Sequence, residues 1–430
     1  MPLEITSISQ RDLALRWTFD QVVYRKIMPL AVRSRLHLEQ EQNPMLQSSE
    51  TFAPLHHAIC AISILAIKPY DCPMSMELAF RHYDRAISTA SSWSPPSYQE
   101  PMFYLHFLLL LFDIACASRR WLKEQAAWFL HLYKLVGLAH VPGGSSTSCL
   151  KAYLSWHVLT LDSYAVLAGN KDSGHYVCAF LDGHLCLPSC AGKEGHDQCS
   201  YTSNALTEVS HCDKLYMLMC TSLAEQSQLS LRLRAMHLAD PSQHQLTRNQ
   251  IEKLVLRQEH QLKVDYPWLE DSGDAVADLQ DEKCNSGMDI RYSRTQYWVL
   301  LIQLYTCFRP RQVMRKEQSE DTDVEYCSRL LSLVRGSLEA GEEQDHLHVY
   351  ALFLAGILAS SPGARAEVFA LLSQMRGVGL PGSVDRVMSF LSSMFGQRSV
   401  RWDSKQVGAK VLEWTDIMGE IDMMFIVVGL

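Results

Sequence analysis

Cysteine and histidine, the side chains that bind zinc most often in proteins, are concentrated between positions 175 and 212. The group comprises His175, Cys178, His184, Cys186, Cys190, His196, Cys199, His211 and Cys212. A structural zinc site needs four such ligands around one point, and four members could supply them: Cys186, Cys190, His196 and Cys199. Their spacing contains no Cys-x-x-Cys pair and matches no zinc finger or knuckle. We favour a loop with unrelated cysteines and histidines and predict no metal, although a structural zinc remains the alternative.

A smaller group of similar residue types occurs earlier in the chain. His56, His57 and Cys60 fall within one apolar segment that is predicted to be a helix. Three residues are fewer than the four ligands of a structural zinc site, so metal binding is less strongly indicated here than in the larger group. Packing in the core is the interpretation that we favour for these residues.

Common catalytic and nucleotide-binding motifs are absent from the sequence. It contains no GxxxxGK[ST] phosphate loop, no GxGxxG after a predicted strand, no GxSxG elbow and no HExxH pair. Each of these motifs places a particular reactive group, so their absence removes the most direct indications of catalysis. We therefore expect no enzymatic activity, no catalytic residues and no cofactor.

The densest run of basic residues follows an apolar segment and comprises Arg309, Arg311, Arg315 and Lys316. Nuclear import receptors recognise short runs of this kind. A run of charged residues is equally typical of the solvent-exposed end of a helix. Both interpretations are kept, a nuclear import signal and a solvated helix end.

Composition limits the class of protein. Of 430 residues, 47% are hydrophobic and 20% are charged, which is typical of a packed globular protein. The formal net charge of -8 disfavours nucleic acid as an electrostatic partner. The 13 cysteines are odd in number and scattered, which indicates reduced thiols in a reducing compartment. No apolar segment follows a basic start, so we expect no secretory signal and an intracellular location.

The segments that must position these residues have helical periodicity. The run from Phe103 to Cys116 is apolar almost all the way round, which predicts a helix buried on every face. It is shorter than the roughly 20 apolar residues of a membrane span and contains Asp113, so we expect no membrane association. A second helix is predicted immediately after it from apolar residues at helical spacing: Ala126, Phe129, Leu130, Tyr133 and Val136.

No segment shows the alternation typical of a strand, and the prediction is an all-α fold, a single irregular multi-helix domain of antiparallel packed helices. Polar stretches at Glu39–Thr51 and Ser91–Pro101 predict connecting loops, and Thr247 is predicted to cap a helix that ends at Val264. The last predicted helix, Val407–Val428, combines acids with an apolar stripe. We favour packing for it over an acidic activation segment. The expected regions are 1–53, an N-terminal helical lead-in; 54–264, a helical core; 265–290, an acidic flexible loop; and 291–430, a C-terminal helical part of the same domain.

Several segments resemble the regulatory, or middle homology, domain of fungal-specific transcription factors of the binuclear zinc cluster class. They are His82–Ile87, Leu108–Ile114, Leu154–Ala165 with its tryptophan and downstream aspartate, Leu187–Pro188, Tyr305–Pro310, Ala351–Gly356 and Trp414–Met418. Each is a loose likeness alone, and their order along nearly the whole chain makes the likeness more specific. The family's DNA-binding module is an N-terminal cluster of six cysteines. No cysteine precedes Cys60 here, so we expect the regulatory part without the DNA-reading part.

The resemblance implies a transcriptional regulator of a fungal metabolic pathway, in particular a secondary-metabolite gene cluster, that is located in the nucleus. It implies contacts with other transcriptional regulators or a DNA-binding partner, and homodimers, while direct DNA binding by this chain is not expected. The alternative is a helical scaffold or adaptor protein without a transcriptional role.

Overall fold

The computed structural model describes most of the chain. The described residues are 10–28, 43–67, 73–91, 98–116, 128–139, 149–167, 173–185, 187, 211–235, 241–269, 287–306, 320–378 and 382–403. Every regular element within them is helical and none is a strand. The predicted all-α, multi-helix fold is therefore confirmed, whereas the antiparallel arrangement remains a prediction.

Sixteen α-helices lie within the described residues and are numbered in chain order. They are α1 Gln10–Thr18, α2 Tyr24–Ile27, α3 Pro44–Thr51, α4 Ala53–Ile67, α5 Pro73–Ala90, α6 Gln99–Cys116, α7 Trp128–Ala139, α8 Cys149–Leu167, α9 His175–Leu181, α10 His211–Ala235, α11 Pro241–Asp265, α12 Gly287–Thr306, α13 Glu320–Glu339, α14 His346–Leu358, α15 Pro362–Gln374 and α16 Ser383–Asp403. A π-helical segment, Phe19–Val23, joins α1 to α2, and a short 3-10 turn, Pro267–Leu269, follows α11.

Helix α6 is at the centre of the first group of helices. Every residue from Phe103 to Cys116 is buried, including Asp113, as predicted. Helices α3, α4, α5, α7 and α8 all contact α6 and cover it on its different sides. Among the described helices, none is long and apolar enough to cross a membrane.

Helix α14 has the same role in the second group. All residues from Leu347 to Leu358 are buried, and α12, α13, α15 and α16 pack around them. At Gly356 the chain approaches α16 so closely that an added Cβ would lie 2.6 Å from Cδ1 of Leu391. Helix α10 contacts both α8 and α12 and so connects the two groups, whose buried apolar side chains form one continuous cluster.

Four predicted boundaries differ from the structure. Part of the predicted loop Glu39–Thr51 forms helix α3, because the Asn43 side chain accepts a hydrogen bond from the backbone N–H of Met45 and Pro44 occupies the first helical position. Thr247 lies inside α11, which begins at Pro241, and therefore does not cap it. Helix α6 begins within the predicted connector, and the ordered turn Pro267–Leu269 shortens the predicted acidic loop at its start.

The predicted second helix is present as α7, but the apolar residues that predicted it do not all pack on the core as Val136 does. Leu130 and Tyr133 are 50% and 66% exposed, whereas His131, Leu132 and Leu135 face the core. Periodicity failed here because α7 is apolar on two sides, and the side that packs contains a histidine whose buried partners belong to other helices.

Candidate functional site

Only part of the predicted zinc group is described. His175 and His184 are exposed and Cys178 is partly buried, while Cys186, Cys190, His196 and Cys199 lie outside the described residues. The same holds for the predicted import signal, Arg309 to Lys316, and for the predicted helix Val407–Val428.

A different group of metal-ligating side chains converges near the N-terminus of the described chain. Asp12, Cys60 and His82 each present a ligand atom within 4.8 Å of the other two. His56 is adjacent, since its Nε2 lies 3.7 Å from the Cys60 sulfur and 3.8 Å from Oδ2 of Asp12. We call these four residues the Asp12 cluster.

Three helices build the Asp12 cluster. His56 and Cys60 lie one turn apart on α4, so both side chains point in the same direction. Asp12 reaches them from α1 and His82 from α5, because both helices pack directly on α4. His57 supports the cluster from the next position on α4, with its Nδ1 3.3 Å from Nδ1 of His82.

Burial determines the protonation states in the Asp12 cluster. Loss of hydration lowers the pKa of His56 and His82, and lowers that of His57 to about 4, so these imidazoles are neutral at pH 7. Burial also raises the pKa of the Cys60 thiol to about 12. The cluster therefore offers neutral nitrogen donors and a protonated thiol beside one carboxylate.

A second polar cluster is buried between α5, α6 and α7. Nδ1 of His106 lies 3.0 Å from Nδ1 of His131, and the Tyr83 hydroxyl lies 3.1 Å from Nε2 of His131. A His131 ring protonated at Nδ1 donates to His106 and accepts from Tyr83, which satisfies both contacts. Burial lowers the pKa of His106 to about 4 and that of His131 to about 3, so both rings remain neutral. This cluster links three helices.

Asp162 on α8 caps helix α9 from outside. Its Oδ1 accepts the backbone N–H of Gly174 at 2.7 Å, and its Oδ2 accepts those of Tyr176 and Val177 at 2.8 and 3.0 Å. These groups belong to the start of a helix, where no intrahelical acceptor is present. Burial raises the pKa of Asp162, and the three donors oppose that shift. Asp162 thus holds α9 against α8.

Asp345 has a similar capping function at α14. Its Oδ1 accepts the backbone N–H of Leu347 at 2.9 Å, and its Oδ2 accepts the hydroxyl of Tyr292 at 2.9 Å. Nδ1 of His348 lies 3.2 Å from Oδ1 and also accepts the Asp345 backbone N–H, which completes a capping box. The Tyr–Asp–His arrangement therefore satisfies the start of a buried helix.

Sequence reasoning identified His56, His57 and Cys60 as a group but missed Asp12 and His82. These two are separated from the group by tens of residues and carry no local motif, so no sequence signal would have joined them. Comparison with known proteins found no matching family model, no matching curated protein and no matching solved structure.

Proposed function

We propose that the chain is a transcriptional regulator of a fungal metabolic pathway, in particular of a secondary-metabolite gene cluster, and acts in the nucleus through its helical domain. The observation that carries this proposal is where the family-like segments lie. Four of the seven segments lie in helices of the described chain: His82–Ile87 in α5, Leu108–Ile114 in α6, Leu154–Ala165 in α8 and Ala351–Gly356 in α14. The other three, Leu187–Pro188, Tyr305–Pro310 and Trp414–Met418, lie wholly or partly outside the described residues. A likeness confined to surface segments would carry less weight, because buried helices define a domain.

The buried aspartate Asp162 also supports the resemblance to this family. The segment Leu154–Ala165 resembles the family's tryptophan-containing helix with a downstream aspartate, and Asp162 is that aspartate. It is buried and accepts three backbone N–H groups at the start of α9. A position that holds two helices together gives a physical reason for an aspartate at this place in the pattern.

The proposed regulator acts through protein contacts. With a net charge of -8 it is poorly suited to neutralise several phosphates, which sequence-specific DNA binding requires. We therefore propose that a second protein supplies the DNA contacts. The exposed Leu130 and Tyr133 on α7 are suited to protein binding, because large apolar side chains gain most when an interface removes them from water.

A reporter assay tests the proposed function. The chain is fused to an unrelated DNA-binding module and expressed in a filamentous fungus with the matching promoter upstream of a reporter gene. We expect reporter transcription to change several-fold, in either direction, relative to the DNA-binding module alone. An unchanged reporter with a well-expressed, folded fusion would contradict the proposal and favour the alternative, a helical adaptor that exposes apolar residues such as Leu130.

A mobility-shift titration tests whether the DNA contacts come from a second protein rather than from this chain. The isolated chain is expected to bind promoter fragments weakly, without sequence preference, at physiological salt. Unrelated DNA of the same length serves as the competitor. Tight binding that resists this competitor would refute the proposed dependence on a second DNA-binding protein.

A further inference from the structure

We propose that the Asp12 cluster, formed by Asp12, His56, Cys60 and His82, binds a divalent transition-metal ion, and that zinc is the ion its ligands suit best. This inference stands independently of the proposed transcriptional role. It also departs from the sequence-based preference for core packing at His56 and Cys60, because Asp12 and His82 join them only in the folded chain.

The distances are close to those of an occupied site. Ligand atoms around a tetrahedral zinc ion, with bonds of about 2.0–2.3 Å, lie roughly 3.3–3.8 Å from one another. His56 Nε2 is 3.7 Å from the Cys60 sulfur and 3.8 Å from the Asp12 oxygen. The ligand atoms of Asp12, Cys60 and His82 are all within 4.8 Å of one another. His56 does not belong to this convergent set of three, so its ring would have to move towards His82 to complete four ligands around one ion.

The donor set has the chemistry that zinc prefers. Two imidazole nitrogens, one sulfur and one carboxylate oxygen are all common zinc ligands, whereas calcium and magnesium prefer oxygen alone. When the metal–sulfur bond forms, Cys60 loses its proton to solvent and becomes a thiolate. The thiolate and the Asp12 carboxylate together balance the two positive charges of the ion, so no net charge is buried.

The surroundings support binding in three ways. His57 lies within hydrogen-bonding distance of Nδ1 of His82, and a hydrogen bond at that atom would leave Nε2 of the ring for the metal, as outer partners of zinc-bound histidines do. The nearby positive charge of Arg16 is paired with Glu50, whose Oε1 lies 3.2 Å from the guanidinium. The Asp12 side chain is 24% exposed, which provides a route from solvent to the site.

Binding has a structural consequence, because the ligands come from three helices. One ion would cross-link α1 to α4 and α5 at the edge of the first helical group. Zinc is therefore expected to stabilise α1 against detachment.

The first test is a metal titration of the full-length chain. The protein is treated with chelator, exchanged into metal-free buffer and titrated with zinc, and bound metal is measured by elemental analysis after gel filtration. We expect about one zinc per chain. Cobalt should replace it and produce a sulfur-to-metal charge-transfer absorption. A chain that retains no zinc after gel filtration and shows no cobalt–sulfur absorption would overturn the proposal.

Variants assign the bound ion to its ligands. Cys60→Ser should abolish the cobalt–sulfur absorption, and Asp12→Asn, at a partly exposed residue, should weaken zinc binding at least ten-fold in a folded chain. The matched controls are Cys327→Ser, a buried thiol on α13, and Cys186→Ser in the other cysteine group; both should retain the ion. Loss of zinc in Cys186→Ser with retention in Asp12→Asn would assign the metal elsewhere and refute the site.

His57→Ala separates a metal site from a simple packing cluster. Loss of an outer hydrogen-bond partner typically lowers zinc affinity about 10–100-fold without removing the ligands. We expect the stoichiometry to remain about one zinc per chain while the dissociation constant rises by that factor. An unchanged dissociation constant would show that His57 does not orient His82 towards a metal.

Discussion

Replacement of Asp162 by asparagine should destabilise the junction between α8 and α9. The Asp162 carboxylate accepts three backbone N–H groups, one at Oδ1 and two at Oδ2. Asparagine keeps one oxygen and places an NH2 group where the other was, so that a donor faces one or two backbone donors. At least two buried polar groups lose their partners, at about 1–3 kcal/mol each, which gives a total of about 2–6 kcal/mol.

The hydration that the Asp162 carboxylate loses on folding opposes this destabilisation, so the sign of the change in unfolding free energy depends on which effect is larger. Burial raises the pKa of Asp162, which means that the ionised side chain loses hydration in the fold. A neutral asparagine avoids that loss. We expect the donor conflict to exceed this gain, because the three N–H groups cannot turn to water inside the core and remain directed at the substituted side chain.

Urea unfolding followed by circular dichroism measures the change in the free energy of unfolding. Amide hydrogen exchange at Tyr176 and Val177 measures whether α9 opens locally, and both amides should exchange faster in Asp162→Asn. The matched control is Asp182→Asn, at an exposed acid beyond the other end of α9, where a change within about 0.5 kcal/mol is expected. Equal stability of Asp162→Asn and the natural chain, with unchanged exchange, would refute the capping role of Asp162.

Two further predictions concern the two helical groups. Acidification from pH 7 to pH 5 should lower the free energy of unfolding by about 2 kcal/mol for each of His106 and His131, because burial keeps their pKa near 4 and 3 while the unfolded chain takes up protons below about pH 6.5. Urea titrations at the two pH values test this, and His131→Gln should reduce the loss by about 2 kcal/mol; stability that is constant or higher at pH 5 would contradict it. Gly356→Ala should lower the melting temperature, because its Cβ meets Leu391 and overpacking costs about 1–3 kcal/mol, more than the roughly 1 kcal/mol of added helix propensity. Gly137→Ala, with no atom within 4 Å of its Cβ, is the control and should be neutral or stabilising.

The sequence alone determined the fold class and the burial of helix α6. Local periodicity was sufficient for this, because a helix makes its own backbone hydrogen bonds and a run that is apolar on every face has to be surrounded by protein. Phe103–Cys116 follows this rule and is buried as the pattern indicates. The resemblance directed attention to Leu154–Ala165, but it did not identify the backbone groups that Asp162 would accept.

The tertiary structure decided which residues that are distant in the sequence come into contact. Asp12 and His82 join His56 and Cys60 only because α1 and α5 pack on α4, and helix packing depends on the surfaces of all the helices together rather than on any one segment. The buried face of α7 was decided in the same way. His131 faces inwards, in preference to the more apolar Tyr133, because Tyr83 and His106 from other helices satisfy its hydrogen bonds. A buried polar side chain is stable only with such partners, and partners that are distant in sequence leave no periodic signal.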